Sequence, residues 1–379
     1  MLTALLMLTM TLLFVSCNKD DDYSAPESYD GVAVQLQRHT KGNGVPVIIM
    51  CDGYTEADIK SGLYHRAAMK AYSHLFDISP MDSLKDYFDV VEVQAVSTDT
   101  LIDTKSGNTA FKSRYSDENG NSAMWADSSV VARYAAKVGY NWTSQEYVAV
   151  VMIRTTHYGG MTNMGAVVVL GDTIPWAQVY IPTSPTSANL DTPMRGQDIF
   201  AGVFHHETIG HALAKLADEY YYISRGAASD EVKSQIRESQ DALGFYLNVS
   251  TTWWPTATPW YYLYQDYRLT EDIGAYEGAY TYAFGVYRPV FDHRSSIMND
   301  SYLYNTTGTF NVSSRAQIYK TVMRLAYGST WKFDYDAFLD FDAPNRSSSA
   351  KAKASTGGVG EPLGASTMQL PSPRISIIR

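Results

Sequence analysis

Apolar residues in the first hundred positions form two short continuous runs on either side of a stretch with helical spacing. Residues 47–50 are bounded by Pro46 and Gly53 and predict a strand that is buried on both faces. A capping-box pattern opens residues 55–76, which continue with apolar positions at helical intervals and predict a helix. Residues 88–96 predict a second strand. A strand, a helix and a strand of these lengths favour a parallel unit with a crossover connection.

Similar patterns continue along the chain. The predicted strands are residues 147–153, 166–170 and 177–181, and the predicted helices are residues 123–138, 199–222, 230–243 and 313–326. Polar, turn-rich residues at 98–121 predict a surface excursion, and aromatic-rich residues 253–282 predict an irregular loop region. The order of elements predicts an α/β fold with a mixed, partly parallel sheet flanked by helices, followed by a more irregular helical part.

The two ends of the chain differ from this pattern. Residues 2–15 form an apolar stretch of signal-peptide length, and the ending at Cys17 resembles a bacterial lipobox, which implies cleavage before Cys17 and its lipidation. The Asp-rich segment that follows resembles the tether of Bacteroidetes surface lipoproteins. We therefore expect a signal peptide at 1–16, a tether at 17–44 and a lipid anchor in the outer membrane at the cell surface. An ordinary cleaved signal peptide is the alternative. A folded domain would occupy 45–346, and the Ser/Gly/Pro-rich residues 347–379 predict a disordered tail.

Composition narrows the possible partners. The 379 residues are 45% hydrophobic, which is enough for one large domain. A net charge of −10 argues against nucleic acid, because phosphate binding needs clustered basic residues. Two cysteines, Cys17 and Cys51, do not make a disulfide framework. The 29 Tyr and 7 Trp suit a surface that binds peptides or sugars, so a glycan- or peptide-binding lipoprotein without catalytic activity is an alternative function.

The strongest chemical signal lies inside the predicted helix 199–222, where three histidines surround Glu207. Zinc hydrolases need two imidazoles on one rigid element and a carboxylate close to the bound water, and His206, Glu207 and His211 offer these groups. The two histidines are five residues apart, or roughly 140° around a regular α-helix, which is too far to share one ion. A π-bulge would absorb the extra residue. The alternative pairs Glu207 with His211 as ligands, and His205 is interpreted as supporting a ligand or facing solvent.

The residues around these histidines resemble the immunoglobulin A metallopeptidase family, whose members are metzincin-like zinc endopeptidases. Residues 216–220 match its Leu-Ala-Asp-Glu-Tyr, and residues 51–55 resemble its Gly-Asp-Gly-Tyr-Thr with Cys51 at the first position. Residues 86–88, 156–160 and 287–289 also match, so the similarity spans about 45–327. The resemblance implies a zincin-like fold whose catalytic domain is 45–346, with a cleft above a lower subdomain.

The resemblance also suggests further site residues. Asp218 is the expected third ligand, provided that the helix bends or ends before it, because seven residues of helix would span roughly 10 Å. Glu219 and His293 are the alternative ligands. Residues 295–298 resemble the Met-turn of metzincins, in which a methionine, here Met298, lies beneath the metal. His157 and Tyr158 follow a predicted strand, where they would line the substrate cleft or support an oxyanion.

We therefore expect a zinc-dependent endopeptidase that hydrolyses extracellular protein or peptide substrates. Zinc held by His206, His211 and Asp218 would activate a water molecule, and Glu207 would act as the general base. The expected partners are a protein substrate and, through the lipid anchor alone, a membrane. The expected state is a monomer. A relative that binds peptides without cutting them is the third possibility.

Overall fold

The computed structural model describes residues 28–100, 108–116, 123–194, 197–292, 296–299, 309–346 and 374–378. The predicted signal peptide, Cys17 and His293 lie outside the described residues, as do parts of the predicted tether and tail.

The main sheet has the strand order β1-β3-β2-β6-β8-β7-β14. Its strands are β1 (Ala33–Gln37), β2 (Val45–Asp52), β3 (Phe88–Val93), β6 (Val148–Arg154), β7 (Met161–Val169), β8 (Asp172–Thr183) and β14 (Arg374–Ile378). β2 is parallel to β3 and β6, and β6 is parallel to β8, whereas β1 and β7 run antiparallel to their neighbours β3 and β8. The predicted mixed, partly parallel sheet is therefore confirmed.

Helices cover both faces of this sheet, and strand β2 explains why. All eight of its residues are buried. Val47, Ile49 and Cys51 join one hydrophobic cluster, whereas Ile48 and Met50 join the other, because successive side chains of a strand point to opposite faces. The helices are α1 (Glu56–Lys60), α2 (Leu63–Leu75), α3 (Met81–Leu84), α4 (Ser128–Lys137), α5 (Phe200–Phe204), α6 (Asp230–Leu243), α7 (Val312–Tyr327) and α8 (Tyr335–Asn345). Within the described residues, none of them is long and apolar enough to cross a membrane.

Two predicted helices differ from the structure in the first half of the chain. The capping box at Thr55 is present, but the helix predicted for 55–76 is divided because Gly62 adopts a φ of 76°, which L side chains rarely adopt. The helix predicted for 123–138 begins only at Ser128. Its cap is Asp127, whose side chain accepts from two backbone N–H groups. The residues before that cap form β5 (Ala123–Trp125), which pairs with β4 (Arg114–Ser116).

The second half of the chain builds the lower part of the molecule. A small sheet has the order β11-β13-β12, formed by Tyr221–Ala227, Thr281–Val290 and Ile273–Ala279. The loop region predicted for 253–282 therefore contains β12 and the start of β13. Helix α6 is confirmed with the predicted bounds, whereas α8 was missed. The short strands β9 (Pro193–Met194) and β10 (Gln197–Asp198) form a separate pair.

The end of the chain corrects another prediction. Residues 374–378 belong to the segment expected to be disordered, yet they form β14, which pairs parallel with the edge strand β7. The prediction of a disordered tail is therefore wrong for these five residues.

Candidate metal centre

The prediction of a helix at 199–222 is wrong in length, because the helical residues end at Leu213. The predicted distortion within it is present. After α5, residues His205–Leu213 form a π-helix, in which the Ala214 N–H donates to the carbonyl of Ile209 at 3.0 Å. Bonding from i to i+5 places residues five apart above one another, which the spacing of His206 and His211 required. Their ring centroids are 4.7 Å apart. The predicted bulge is thus confirmed and extends over nine residues.

The chain then turns back towards the helix. Lys215 has a φ of 55°, and the segment that follows is not helical. This turn brings the Asp218 Oδ1 to 3.0 Å from the Nε2 of His206 and 3.3 Å from the Nε2 of His211. The three side chains are almost completely buried and form a group able to hold a metal ion. The structure therefore meets the condition that the helix ends before Asp218.

Backbone carbonyls fix both imidazole rings. The Nδ1 of His206 lies 3.0 Å from the carbonyl of Ile297, and the Nδ1 of His211 lies 2.7 Å from that of Leu216. A carbonyl oxygen only accepts, so each Nδ1 carries a hydrogen, and in the neutral ring each Nε2 turns its lone pair towards Asp218. The His211 Nε2 has no hydrogen bond among the described residues. Two lone pairs and a carboxylate need a positive charge among them, which a divalent cation supplies, so these residues fit a metal ion.

The charge state of Asp218 agrees with such a site. Burial on its own would raise the pKa of this carboxyl, but in the metal-free site positive charge on the imidazoles of His211 and His206, which a bound cation would supply instead, holds it well below its usual range. Asp218 therefore presents an ionised oxygen, which is the form that binds a cation.

Glu207 is also completely buried, beside the ligand group. Thr162 of β7 donates its hydroxyl to the Glu207 Oε2 at 2.7 Å, whereas the Oε1 has no hydrogen bond among the described residues. Burial raises the pKa of Glu207 to about 7, against the opposing effects of His206 and Thr162. A carboxyl with such a pKa can both accept and release a proton near neutrality. Glu207 is not a member of the group of His206, His211 and Asp218, which disfavours the alternative that pairs Glu207 with His211 as ligands.

Glycines bring two neighbouring segments close to this helix. A Cβ on Gly160 would lie 2.7 Å from Val203 Cγ1 and 3.4 Å from the Glu207 Oε1, so the loop before β7 reaches the glutamate only because residue 160 has no side chain. On the other side, a Cβ on Gly210 would overlap the Sδ of Met298. The completely buried Met298 therefore packs against the π-helix itself.

The loop that carries Asp218 is held by amide side chains from the lower part. Asn248 accepts from the Ala217 N–H and donates to the Ala217 carbonyl, both at 2.8 Å, and it also donates to Glu219 at 2.9 Å. The other carboxylate oxygen of Glu219 accepts from Asn311 at 2.8 Å. Glu219 therefore holds the loop in place and is not part of the ligand group, and burial raises its pKa to about 7.

The other predicted residues lie nearby. Tyr158 is mostly buried, and the ring of His157 stacks on Tyr115 with centroids 4.1 Å apart. Both residues line a cavity of about 100 Å³ beyond the carboxyl ends of β6 and β8. The cavity is rich in hydroxyl groups, and its other lining residues are Thr155, Thr156, Ser184, Thr186 and Thr192.

His205 does not face solvent, so that part of its interpretation is wrong. It is 4% exposed, and its Nε2 lies 2.8 Å from the Oδ1 of Asp77. Burial opposes ionisation of Asp77, but hydrogen bonds from His205 and His74 hold the pKa of this carboxyl below its usual range.

Sequence patterns did not point to Thr162, Asn248 or Asn311. Each lies in a segment distant along the chain and meets the site only after folding. A buried carboxylate requires hydrogen-bond donors. Donors to Glu207 and Glu219 could therefore be expected, but the sequence did not indicate which residues supply them.

Two histidines and an aspartate that fit a metal ion lie beside a buried glutamate on a helix packed against a mixed sheet. This arrangement agrees with the family match, which makes the protein a metallopeptidase. The chain belongs to the IgA Peptidase M64 family, whose model it matches over residues 34–255, more than half of its length. No curated protein matches the chain. The matched region contains the ligand group and Glu207, whereas Met298 lies beyond it.

Proposed function

We propose that the protein is a zinc-dependent endopeptidase in which His206, His211 and Asp218 hold the zinc ion and Glu207 is the general base. The observation that carries this proposal is the pair of Nε2 atoms facing Asp218 at 3.0 and 3.3 Å, with Glu207 adjacent along the helix. When bound, zinc would polarise the scissile carbonyl and acidify the attacking water.

Glu207 has a defined task in this scheme. Its Oε2 is held by Thr162, and its Oε1 has no hydrogen bond among the described residues. This oxygen would accept a proton from the attacking water. The same carboxyl would then deliver that proton to the leaving amine, which its raised pKa favours near neutral pH.

Other side chains would support the reaction. Met298 would form an apolar floor beneath the ligand group, because its sulfur packs on Gly210. Tyr158, two residues before the glycine that contacts Glu207, would donate its phenol to the developing oxyanion. The cavity lined by His157 and Tyr158 would receive a substrate side chain.

A test compares Glu207→Gln with Glu238→Gln, which makes the same chemical change at a hydrogen-bonded exposed position on α6. We expect Glu207→Gln to lower kcat for casein hydrolysis by about 10²- to 10⁴-fold while zinc content is retained, and Glu238→Gln to behave as wild type. Chelation should abolish activity, and added zinc should restore it. Hydrolysis that persists in Glu207→Gln would contradict the role of this residue, and hydrolysis that survives chelation would contradict the zinc mechanism.

A further inference from the structure

A second group with the same donor types lies at the first residue of the π-helix. His74 is in the last turn of α2, Asp77 follows that helix, and His205 is the first residue of the π-helix. We call this group the outer cluster, and His206, His211 and Asp218 the inner cluster. One nitrogen or oxygen atom from each member of the outer cluster lies within 4.8 Å of the others. The adjacent residues His205 and His206 therefore serve different clusters.

The carboxylate of Asp77 lies between the two imidazoles. Its Oδ1 is 2.8 Å from the His205 Nε2, and its Oδ2 is 2.6 Å from the His74 Nδ1. The backbone carbonyl of His74 lies 3.0 Å from the same His205 nitrogen. The His205 Nε2 faces two acceptor oxygens, so in the metal-free protein it donates a hydrogen to them, and an ion would have to replace that hydrogen. A shift of a few tenths of an ångström would then make room for an ion at metal–ligand distances of about 2.0–2.2 Å.

The local electrostatic field suits a cation. The cluster lies at the carboxyl end of the 13-residue helix α2, where the helix dipole is negative. The nearby ammonium of Lys70 is paired with Asp191 at 2.6 Å and lies 3.6 Å from Asp198, so its charge is largely neutralised.

Burial differs among the three members in a way that suits an ion able to exchange with solvent. The His205 side chain is 5% exposed, whereas those of His74 and Asp77 are 23% and 40% exposed. The buried histidine gives a fixed position, and the exposed side leaves room for water molecules as further ligands.

We propose that His74, Asp77 and His205 bind a second divalent transition-metal ion, with zinc as the ion that two imidazoles and a carboxylate favour. This ion would join the end of α2 to the first residue of the π-helix. Its role would be structural, and it does not depend on the peptidase mechanism proposed for the inner cluster.

The test measures zinc by mass spectrometry in full-length protein that has been loaded with zinc sulfate and dialysed. We expect about two zinc ions per wild-type chain and about one in Asp77→Asn and in His74→Ala. Asp218→Asn should also retain about one, and the double variant Asp77→Asn/Asp218→Asn should retain none. A matched control is His39→Ala, because His39 and Asp89 form a similar pair at 2.8 Å that is not part of a three-membered group among the described residues. This variant should keep two ions.

One zinc ion per wild-type chain, unchanged in Asp77→Asn, would overturn the proposal. If Asp218→Asn then lost that single ion, zinc binding at the inner cluster would still be supported. The two proposals therefore fail separately. Wild-type crystals give a measurement that needs no variant. An anomalous difference map at the zinc absorption edge should contain a peak between Asp77 and His205, and a peak only at Asp218 would overturn the proposal.

Discussion

The inner and outer clusters contain the same three side-chain types but have very different surroundings. In the inner cluster every member is buried, and both imidazoles are fixed by backbone carbonyls. In the outer cluster the Asp77 side chain is 40% exposed. The His74 ring forms a hydrogen bond to Asp77, which is itself a member of the cluster. The buried carboxyl group of Glu207, the proposed base, adjoins only the inner set among the residues that the structure describes.

A donor set alone therefore does not determine what a metal site does. The proposed peptidase chemistry requires a base, rings held at a fixed angle and a packed floor. At the inner cluster Glu207, two carbonyl partners and Met298 would supply them. The outer cluster has the donors without these supports, which suits a structural ion.

The largest expected effect separates the two aspartates. Asp218→Asn should reduce peptidase activity to the detection limit, because the ligand group loses its only charged member. Asp77→Asn should instead lower the melting temperature in zinc-containing buffer, because it weakens the junction between α2 and the π-helix. Casein hydrolysis and thermal melts of both variants check the difference. Equal loss of activity in the two would remove the distinction drawn between the clusters.

A smaller effect is expected from the support of the inner cluster. Asn248→Ala removes both hydrogen bonds to Ala217 and one to Glu219, so the loop that carries Asp218 loses its fixed position. We expect zinc affinity at the inner cluster to fall by about 10- to 100-fold, as is typical when groups that orient ligands are removed.

Competition with a chromophoric chelator measures this affinity. Asn141→Ala is the control, because the Asn141 side chain caps only an exposed turn. Unchanged zinc affinity in Asn248→Ala would mean that the loop is held by its backbone contacts alone.

A third and weaker effect should follow from the contact between Gly210 and Met298. Gly210→Ala introduces a Cβ that overlaps Met298, and it should lower the free energy of unfolding by about 1–3 kcal/mol. In the double variant Gly210→Ala/Met298→Ala the overlap disappears, so the two effects should not add. Denaturant titration of the four proteins in this cycle gives the coupling energy. Strict additivity would show that the methionine does not pack against the helix in solution.

The prediction of the π-helix came from the chemistry of the ligands. Two histidines five residues apart cannot share an ion on a regular helix, and that requirement alone predicted the distortion between His206 and His211. The end of the helix had no such signal. Residue 214 is alanine and residue 215 is lysine, both compatible with helix, so local propensity predicted continuation to residue 222.

Tertiary contacts decide that end. Lys215 is buried, and its ammonium lies 3.2 Å from Glu146, which precedes β6. The Asp218 carbonyl accepts from the Tyr280 N–H at 2.8 Å. Both partners are more than sixty positions away along the chain. The same reason explains why His205 was misinterpreted, since Asp77 lies 128 residues before it.

These separations have a consequence for the unfolded chain. The pair His206 and Asp218 is 12 residues apart, whereas Asp77 and His205 are 128 apart. Loop-closure entropy makes it about 2 kcal/mol harder for a disordered chain to bring the second pair together. An unfolded chain can therefore still chelate zinc through the inner residues, with an affinity about 30-fold higher than through the outer ones. Since a ligand stabilises a fold only to the extent that it discriminates against the unfolded state, an ion at the outer cluster would stabilise the fold more than an equally tight ion at the inner one.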